Sequence, residues 1–281
     1  MASSETPALP SSGAPGPAQG ALRLDAYHEQ GFLLLPGFFS AREIAPWVAR
    51  FVEIAEGRAE LPPEMLLMRD VMVAKGAVRP RSRLEGVAKI QDFHRDPVLF
   101  EGYARHPRLL DLVAQITGPD LKCVHNMLIN KPPGVDGRHP LHQDLLYFPF
   151  RPLDRIVATW TALEPCTREN GCLVVVPGSH RAGELLPHDR PDWEHVNFLY
   201  VGARGVGSGT QRVHLEMAPG DLVIFHPLLL HGSGRNRTRG FRRAISAHYA
   251  SALCRYVEGQ SPVAVARPYR LVRGREHPGC I

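Results

Sequence analysis

Residues 123–130 read CVHNMLIN and residues 156–163 read IVATWTAL, and these two runs decide the fold class of this 281-residue chain. Both runs are short, contain β-branched or aromatic side chains, and are followed by turn-forming residues, which is the pattern of a β-strand. Further runs of this kind follow at 172–176, 197–201, 212–217, 221–225 and 244–250. Short strands at this spacing are typical of a barrel or a double-sheet jelly roll, so a mainly β fold is predicted.

The chain before residue 121 has helical patterns instead. Ser40 and Glu43 have the spacing of a capping box, and apolar residues then recur at helical spacing. These features predict an amphipathic helix over residues 41–56. Two further helices are expected, one capped by Asp96 and one ending at Gly118. The predicted architecture is therefore a β-barrel or jelly roll with flanking helices.

The first residues differ in composition from the rest of the chain. Residues 1–20 are mainly Ala, Ser, Pro and Gly, with no aromatic side chain. Such a segment buries too little apolar surface to offset its ordering entropy, so a disordered N-terminal segment is predicted there. A short apolar strand is expected over residues 31–38. Because no internal repeat divides the remainder, we expect residues 21–281 to form a single domain.

Composition and charge exclude several classes of protein. The longest apolar runs have about ten residues, and a membrane-spanning helix needs about 20, so no membrane span is expected. The net charge is +5 without a block of basic residues, so nucleic-acid binding is not indicated, whereas a small polyanionic substrate is compatible. The five cysteines form no CxxC pair, which is typical of reduced thiols in an intracellular protein.

A metal site is indicated by His142 and Asp144, in the stretch HPLHQD over residues 139–144. Side chains two apart on a strand point to the same face, so both could bind one ion. A second histidine from a distant strand would complete a 2-His-1-carboxylate triad, which suits non-haem Fe(II) oxygenases.

The H-x-[D/E] motif is weak by itself, because the chain contains three matches and chance predicts about 1.4. Asp96 in the match beginning at His94 is better explained as a helix cap. In the match beginning at His214, His214 and Glu216 lie on the same face of a predicted strand. A solvated face or a cross-strand ion pair explains these two residues equally well. The context therefore favours His142 and Asp144.

Two histidines could supply the third ligand. His226 lies in an apolar run, as a satisfied core histidine would, whereas His231 is followed by Gly-Ser-Gly. Glycines permit close approach of a ligand, which favours His231 and leaves His226 as the alternative. Further on, a guanidinium from Arg242 or Arg243 could bind a carboxylate as a bidentate fork, or could form an ordinary surface salt bridge. The two arginines face opposite ways on a strand, so only one can line a pocket.

Longer stretches resemble the phytanoyl-CoA dioxygenase family. They occur in family order over roughly residues 25 to 255, which makes them far more specific than a three-residue motif. The matching stretches are MRD (68–70), KIQDF (89–93), MLINKPP (127–133), RHPLHQDL (138–145), YFPFRP (147–152), NGCLVV (170–175), PHD (187–189), HPLLLHGSG (226–234) and GFR (240–242).

The resemblance implies a double-stranded β-helix, the cupin-like jelly roll of Fe(II)- and 2-oxoglutarate-dependent oxygenases. It also implies an iron site and a cosubstrate site. The iron ligands and catalytic residues would be His142, Asp144 and His231; the 2-oxoglutarate site would be formed by Lys89, Met127, Trp160, Ser233 and Arg242, with Arg242 on the distal carboxylate.

The activity implied by the resemblance is 2-hydroxylation of a 3-methyl-branched fatty acyl-CoA, such as phytanoyl-CoA, in fatty acid alpha-oxidation. The reaction would use O2, with ascorbate as an activator. Two alternatives remain: a related 2-oxoglutarate oxygenase with a different substrate, and a non-catalytic jelly-roll binding module. The resemblance implies a peroxisomal location, but the family's R-L-x5-H-L address is matched only at Arg23-Leu24, so a cytoplasmic location is the alternative.

Overall fold

The computed structural model describes residues 24–197, 199–257 and 269–281. The prediction of disorder over residues 1–20 lies outside these ranges, and the single domain over residues 21–281 stays a prediction. Within the described residues, no helix has the length and apolar character that crossing a membrane requires. All five cysteines lie in the described ranges, and all are free thiols, as the sequence predicts.

Helices occupy mainly the N-terminal part. The α-helices are α1 (Asp25–Gln30), α2 (Ala41–Glu56), α3 (Val71–Ala74) and α4 (Pro107–Thr117). A π-helical turn covers Phe100–Ala104, and 3-10 turns cover Leu84–Gly86, Asp144–Tyr147, Leu153–Arg155 and Ser179–Ala182.

The strands form two main antiparallel sheets and two short ribbons. Their bounds are β1 (Phe32–Leu35), β2 (Leu66–Arg69), β3 (Val87–Gln91), β4 (Leu121–Lys131), β5 (His139–His142), β6 (Phe150–Arg151), β7 (Ile156–Ala162), β8 (Leu173–Val175), β9 (His188–Asp189), β10 (Gly202–Ala203), β11 (Val213–Leu215), β12 (Leu222–Phe225), β13 (His231–Ser233), β14 (Arg242–Ser251), β15 (Arg255–Tyr256) and β16 (Arg270–Arg273). The large sheet has the order β1-β12-β7-β14-β4-β3-β2, with β16 also paired to β4, and the small sheet has the order β11-β8-β13-β5.

Helix α2 forms where its capping box and apolar spacing predict it. The Ser40 side chain accepts a hydrogen bond from the Glu43 backbone N–H, and the Glu43 carboxylate accepts one from the Ser40 N–H at 2.8 Å. These two bonds satisfy donors that the first turn of a helix would otherwise leave unpaired. Asp96 is also a cap as predicted, since its carboxylate accepts from the N–H groups of Val98 and Leu99 before the π-helical turn.

The large sheet separates two cores, as strand β14 shows. Ile245, Ala247 and Tyr249 point into the core that α2 and α4 cover. Ala244 points the other way, into a second core that side chains of both main sheets share. Because successive side chains of a strand alternate between faces, Arg242, Ser246 and His248 share the face of Ala244. One face of β14 is therefore available to a site between the sheets.

The predicted strand over residues 197–201 is wrong, while the other predicted strands are present. Among the described residues of that run, the Tyr200 N–H donates to the Asn197 carbonyl in a turn, and Leu199 has a φ of +70°. The Asn197 side chain also binds the backbone N–H of Val71 and the carboxylate of Asp70. These tertiary hydrogen bonds hold a turn where the apolar composition favours a strand.

Candidate metal centre and adjoining cavities

Strands β5 and β13, with the turn that follows β5, bring His142, Asp144 and His231 together. His231 is the register partner of His142, and Asp144 follows two residues after His142. One ligand atom from each of the three side chains lies within 4.8 Å of the others. All three side chains are buried. The structure therefore places at one point the residues that the sequence analysis selected as a triad.

The expectation that Asp144 lies on the same strand as His142 is wrong. Strand β5 ends at His142, and Asp144 begins a 3-10 turn. The chain bends there because the Leu145 N–H donates to the Pro227 carbonyl and the Gln143 side chain donates to the Leu228 carbonyl. The Asp144 carboxylate still meets His142, but it does so from the turn and not by strand alternation.

Backbone carbonyls orient both imidazoles. The Nδ1 atom of His142 lies 2.9 Å from the Pro140 carbonyl, and Nδ1 of His231 lies 2.9 Å from the Leu229 carbonyl. Since a carbonyl only accepts, Nδ1 carries the proton in each ring, and each Nε2 presents a lone pair. These Nε2 atoms lie 3.3 and 3.5 Å from the same oxygen of Asp144, Oδ1. Ligands at right angles on one ion, with bonds of about 2.1 Å, would lie about 3 Å apart.

The other Asp144 oxygen is held by His248. Nε2 of His248 lies 2.8 Å from Oδ2, so the imidazole donates to it and Oδ1 is left for an ion. Burial raises the pKa of Asp144, but the neighbouring His231 and His248 imidazoles and the hydrogen bond from His248 lower it well below its usual value. The carboxylate is therefore ionised at neutral pH and ready to bind a cation.

The donor set fits a divalent transition metal ion. Burial lowers the pKa of His231 to about 4, so its imidazole is neutral near pH 7, as a metal ligand must be. Two neutral imidazoles and one carboxylate leave three positions of an octahedral ion open, which suits ferrous iron. A structural zinc site would instead be closed by a fourth protein ligand, and none joins the cluster among the described residues.

Two cavities meet at this cluster. The first, which we call the anion cavity, has a volume of about 50 Å³ and includes Trp160, Ser233 and Arg242 in its wall. The second, the apolar cavity, has a volume of about 110 Å³ and includes Val124 and Phe148. Side chains that line both cavities are Met127, His139, His142, Asp144, Tyr200 and His248. An ion at the cluster would thus be reached from two chemically different sides.

The two adjacent arginines of β14 face opposite ways, as predicted. Arg242 is 1% exposed and lines the anion cavity, with its guanidinium 5.6 Å from the centre of the Trp160 ring. Its Nε and Nη1 atoms have no hydrogen-bond partner within the described part of the chain. Arg243 instead binds the Glu164 carboxylate at 2.6 Å on the other face of the sheet. Buried N–H groups without partners are costly, so those of Arg242 suit an anionic ligand in this cavity.

The remaining predicted site residues lie on the walls of the two cavities. Nζ of Lys89 lies 3.8 Å from Sδ of Met127 and 5.3 Å from the centre of the Tyr200 ring, in the wall of the apolar cavity. Met127 lines both cavities, and Trp160 and Ser233 line the anion cavity. The family resemblance implies that Lys89 lies at the cosubstrate site; the structure places it next to Met127, which lines both cavities, and its role stays a prediction.

The alternatives to the triad lie elsewhere. His226 packs against Tyr27 and His180, and its Nδ1 accepts from the Leu228 N–H, which makes it a satisfied core histidine. Nδ1 of His94 binds the Asn126 side chain, and His214 is a half-buried residue of β11. Neither of the two cavities includes any of these three histidines.

Sequence reasoning missed three residues of the site. His248 shares the face of Arg242 by alternation along β14, and this signal was available in the sequence. Lys131 lies in the wall of the anion cavity at the end of β4. The Tyr200 ring stacks on the His139 ring at 3.9 Å, from a segment that the sequence analysis assigned to a strand. For Lys131 and Tyr200, only the tertiary fold shows which cavity they reach.

Comparison with known proteins identifies the family. The family model described as Phytanoyl-CoA dioxygenase matches residues 27–244. The peroxisomal phytanoyl-CoA dioxygenase of Rattus norvegicus is 49% identical over 247 residues, covering 86% of this chain and 72% of the relative. The probable phytanoyl-CoA dioxygenase of Caenorhabditis elegans is 49% identical over 239 residues, covering 82% and 75%.

Solved structures are similar in fold. The epimerase SnoN, in complex with Fe3+, alpha ketoglutarate and nogalamycin RO, matches with a TM-score of 0.62 at 22% identity, covering 89% of this chain and 96% of SnoN. EctD from S. alaskensis matches with a TM-score of 0.64 at 21% identity, covering 92% and 84%. These likenesses confirm the predicted double-stranded β-helix. Taken with the family model and the relatives, they lead to one conclusion: this chain belongs to the phytanoyl-CoA dioxygenase family.

Proposed function

We propose that this protein is an Fe(II)- and 2-oxoglutarate-dependent dioxygenase that hydroxylates carbon 2 of a 3-methyl-branched fatty acyl-CoA, such as phytanoyl-CoA. The observation that carries the proposal is the meeting of a cationic cavity and an apolar cavity at His142, Asp144 and His231. The names of relatives that are 49% identical over most of the chain support the substrate class.

The metal would be held by His142, Asp144 and His231. Bound ferrous iron with 2-oxoglutarate supplies the oxidising power to hydroxylate an unactivated C–H bond, with O2 consumed and succinate and CO2 released. The protein contributes geometry: Pro140 and Leu229 carbonyls hold the two rings in the tautomer that ligation needs. The buried setting excludes water and strengthens each electrostatic contact.

The cosubstrate would occupy the anion cavity. 2-Oxoglutarate carries a carboxylate at each end, and the unpartnered N–H groups of Arg242 suit its distal carboxylate. Trp160 and Ser233 form the wall beside that arginine. Lys89 and Met127, which are in contact, would border the 2-oxo acid end near the metal. The cavity thus distinguishes a dicarboxylate from an apolar ligand.

The acyl chain would occupy the apolar cavity. Its wall includes Val124, Tyr147, Phe148 and Leu199, which are apolar or aromatic and suit a methyl-branched chain. Binding there would bring the carbons next to the thioester close to the metal while the anion cavity is filled. Lys89 and Gln91 are polar groups in the same wall and would lie near the thioester end.

The activity is tested with purified protein, Fe(II), 2-oxoglutarate, ascorbate and phytanoyl-CoA in air. The expected product carries one added oxygen by mass spectrometry, with one succinate formed for each product molecule. Asp144→Ala should lose both signals because the triad loses its only carboxylate. The exposed Asp154→Ala variant is the matched control and should behave as wild type. Succinate formation by Asp144→Ala at the wild-type rate would refute the site.

A substrate panel separates the proposal from its alternatives. Palmitoyl-CoA lacks the 3-methyl branch, and free phytanic acid lacks CoA, so each removes one proposed determinant. 2-Oxoglutarate turnover without oxygenation of any acyl-CoA would indicate an oxygenase with another substrate. A folded protein that binds metal without any 2-oxoglutarate turnover would indicate a binding module. Omitting ascorbate from the same incubation tests its proposed role as activator.

The peroxisome is the proposed location. The rat relative is named as a peroxisomal protein, and it is 49% identical over 86% of this chain. Fluorescence imaging of the full chain with a peroxisomal marker tests this, and diffuse cytoplasmic signal would favour the alternative.

A further inference from the structure

Two buried cations lie opposite each other at one end of the large sheet. Arg242 on β14 is the register partner of Lys131 on β4. Both side chains line the anion cavity, and they are 1% and 3% exposed. Like charges directly opposite each other in a sheet are destabilising, and burial strengthens the repulsion because the local dielectric is low. Such a pair is favourable only if an anion lies between its members.

Two carboxylates attract this pair, and both are already bound to other arginines. Asp136, which attracts Lys131, forms ion pairs with Arg138 and Arg235 at 2.6 and 3.0 Å. Glu164, which attracts Arg242, binds the guanidinium of Arg243 at 2.6 Å. Within the described residues, the wall of the anion cavity contains the two basic side chains of this pair and one carboxylate, that of Asp144. Burial, followed by the charge of Arg242, lowers the pKa of Lys131 well below its usual value, so a bound anion would favour the charged form of its side chain.

The hydrogen bonds of Lys131 leave donors directed at a ligand. Its ammonium donates to Ser233 Oγ at 2.7 Å and to the Gly234 carbonyl. An ammonium has three N–H donors, so one remains. Because the Ser233 hydroxyl accepts from Lys131, its own proton can also be donated. With the unpartnered guanidinium N–H groups of Arg242, three side chains offer hydrogen bonds to one anion.

We propose that Lys131 is a second anchor for the distal carboxylate of 2-oxoglutarate, acting beside Arg242 and orienting Ser233; this inference rests on the proposed function. A carboxylate has two oxygens with about four acceptor positions, enough for one hydrogen bond from Lys131, one from Ser233 and two from Arg242. It also places a negative charge between two cations that otherwise repel. Lys131 is therefore a determinant of dicarboxylate specificity, which the sequence-based prediction of the site did not include.

The competing explanation is purely structural. Through Ser233 and Gly234, Lys131 ties the end of β4 to β13, the strand that carries His231. If that were its only role, removing the ammonium would weaken the binding of every ligand near the metal to a similar extent. If Lys131 binds the distal carboxylate, only ligands with that carboxylate would be affected.

The test compares 2-oxoglutarate with 2-oxopentanoate, which has the same 2-oxo acid end and lacks the distal carboxylate. Dissociation constants are measured by calorimetry on the Mn(II)-loaded protein, which does not turn over. Lys131→Met should weaken 2-oxoglutarate binding by about 10- to 100-fold, the usual effect of losing a charged hydrogen bond, with 2-oxopentanoate unchanged within about twofold. Lys122→Met is the matched control: Lys122 is also buried on β4 but pairs with Glu276 and lines neither cavity, so both constants should stay unchanged.

A second variant decides the question even if Lys131→Met does not fold. Arg242→Met retains Lys131 and should keep a preference for 2-oxoglutarate over 2-oxopentanoate of about tenfold. Loss of all preference in Arg242→Met, or a wild-type ratio in Lys131→Met, would overturn the role of Lys131. Failure of the proposed 2-oxoglutarate dependence has a different signature, because wild-type protein would then bind neither acid in the presence of Mn(II), whereas a different oxygenase substrate would leave both dissociation constants unaffected.

Discussion

The hydrogen bond from His248 to Asp144 should control metal affinity, and His248→Phe tests this. Phenylalanine keeps an aromatic ring against His125 and Phe148, whose ring centres lie 5.5 and 5.2 Å from that of His248. The substitution removes the Nε2 donor, which lies 2.8 Å from Asp144 Oδ2. The Asp144 carboxylate then loses the hydrogen bond that holds Oδ2, and Oδ1 is no longer fixed in its direction toward His142 and His231.

Two independent considerations give the same magnitude for this change. Losing a hydrogen bond partner of a metal ligand typically weakens metal binding by about 10- to 100-fold. This range corresponds to about 1.4–2.7 kcal/mol, at 1.36 kcal/mol for each factor of ten. A buried hydrogen bond to a charged group contributes about 1.5–3 kcal/mol to stability. We therefore expect the dissociation constant for Mn(II) to rise by one to two orders of magnitude.

The assay is a competition titration of metal-free protein with Mn(II) and a chelator of known affinity. Thermal denaturation of each variant establishes that it is folded. His226→Phe is the control, because His226 is also a buried histidine but packs against Tyr27 and His180, away from the triad. A folded His248→Phe protein that binds Mn(II) within twofold of wild type would refute the reasoning, and so would an equal loss in both variants.

Two further substitutions test the strand pairing at the site and the cap of α2. Gly232→Ala would place a Cβ 2.7 Å from the His139 carbonyl, so β13 must move away from β5. We expect the free energy of unfolding to fall by about 1–3 kcal/mol and Mn(II) binding to become weaker. Unchanged metal affinity would show that the strands adjust without moving His231. Burial opposes ionisation of Glu43, but hydrogen bonds that include those from Ser40 lower its pKa from 4.5 to about 2. The ionised side chain therefore contributes to the free energy of unfolding above pH 4.5, and this contribution is lost as the pH falls toward 2. Glu43→Gln should therefore cost about 1 kcal/mol at pH 7 in denaturant titrations and almost nothing near pH 2, and a difference independent of pH would contradict this.

The adjacent arginines of β14 lie on opposite faces of the sheet and have different partners. Arg242 faces the anion cavity, and Arg243 faces the opposite side, where it binds Glu164. Alternation along a strand makes this division necessary, because neighbouring side chains cannot share a face. It could be predicted from the sequence that only one arginine reaches the pocket, and the resemblance to the family selected Arg242. The unpartnered N–H groups of that side chain provide a physical reason for the choice.

Local patterns in the sequence determined much of the fold. Ser40 and Glu43 determine where α2 begins because a capping box involves residues only three apart. The runs at residues 123–130 and 156–163 form β4 and β7 as predicted, because β-branched or aromatic composition followed by turn-forming residues is a property of consecutive residues. His226 and His231 occur in the same nine-residue stretch; the glycines after His231 favoured it as the third triad residue, and the longer family motifs decided the choice.

The tertiary structure alone decided which residues from distant segments share the site. His231 meets His142 through a strand pairing between residues 89 positions apart, and Asp144 reaches them from a turn that long-range hydrogen bonds create. Lys131 lies opposite Arg242 because of the register between β4 and β14. A sequence pattern specifies which face a side chain occupies, but strand order and register depend on the packing of the whole chain. For this reason the chemistry of the ligands could be predicted from the sequence, while their meeting at one point and the position of Lys131 opposite Arg242 could not.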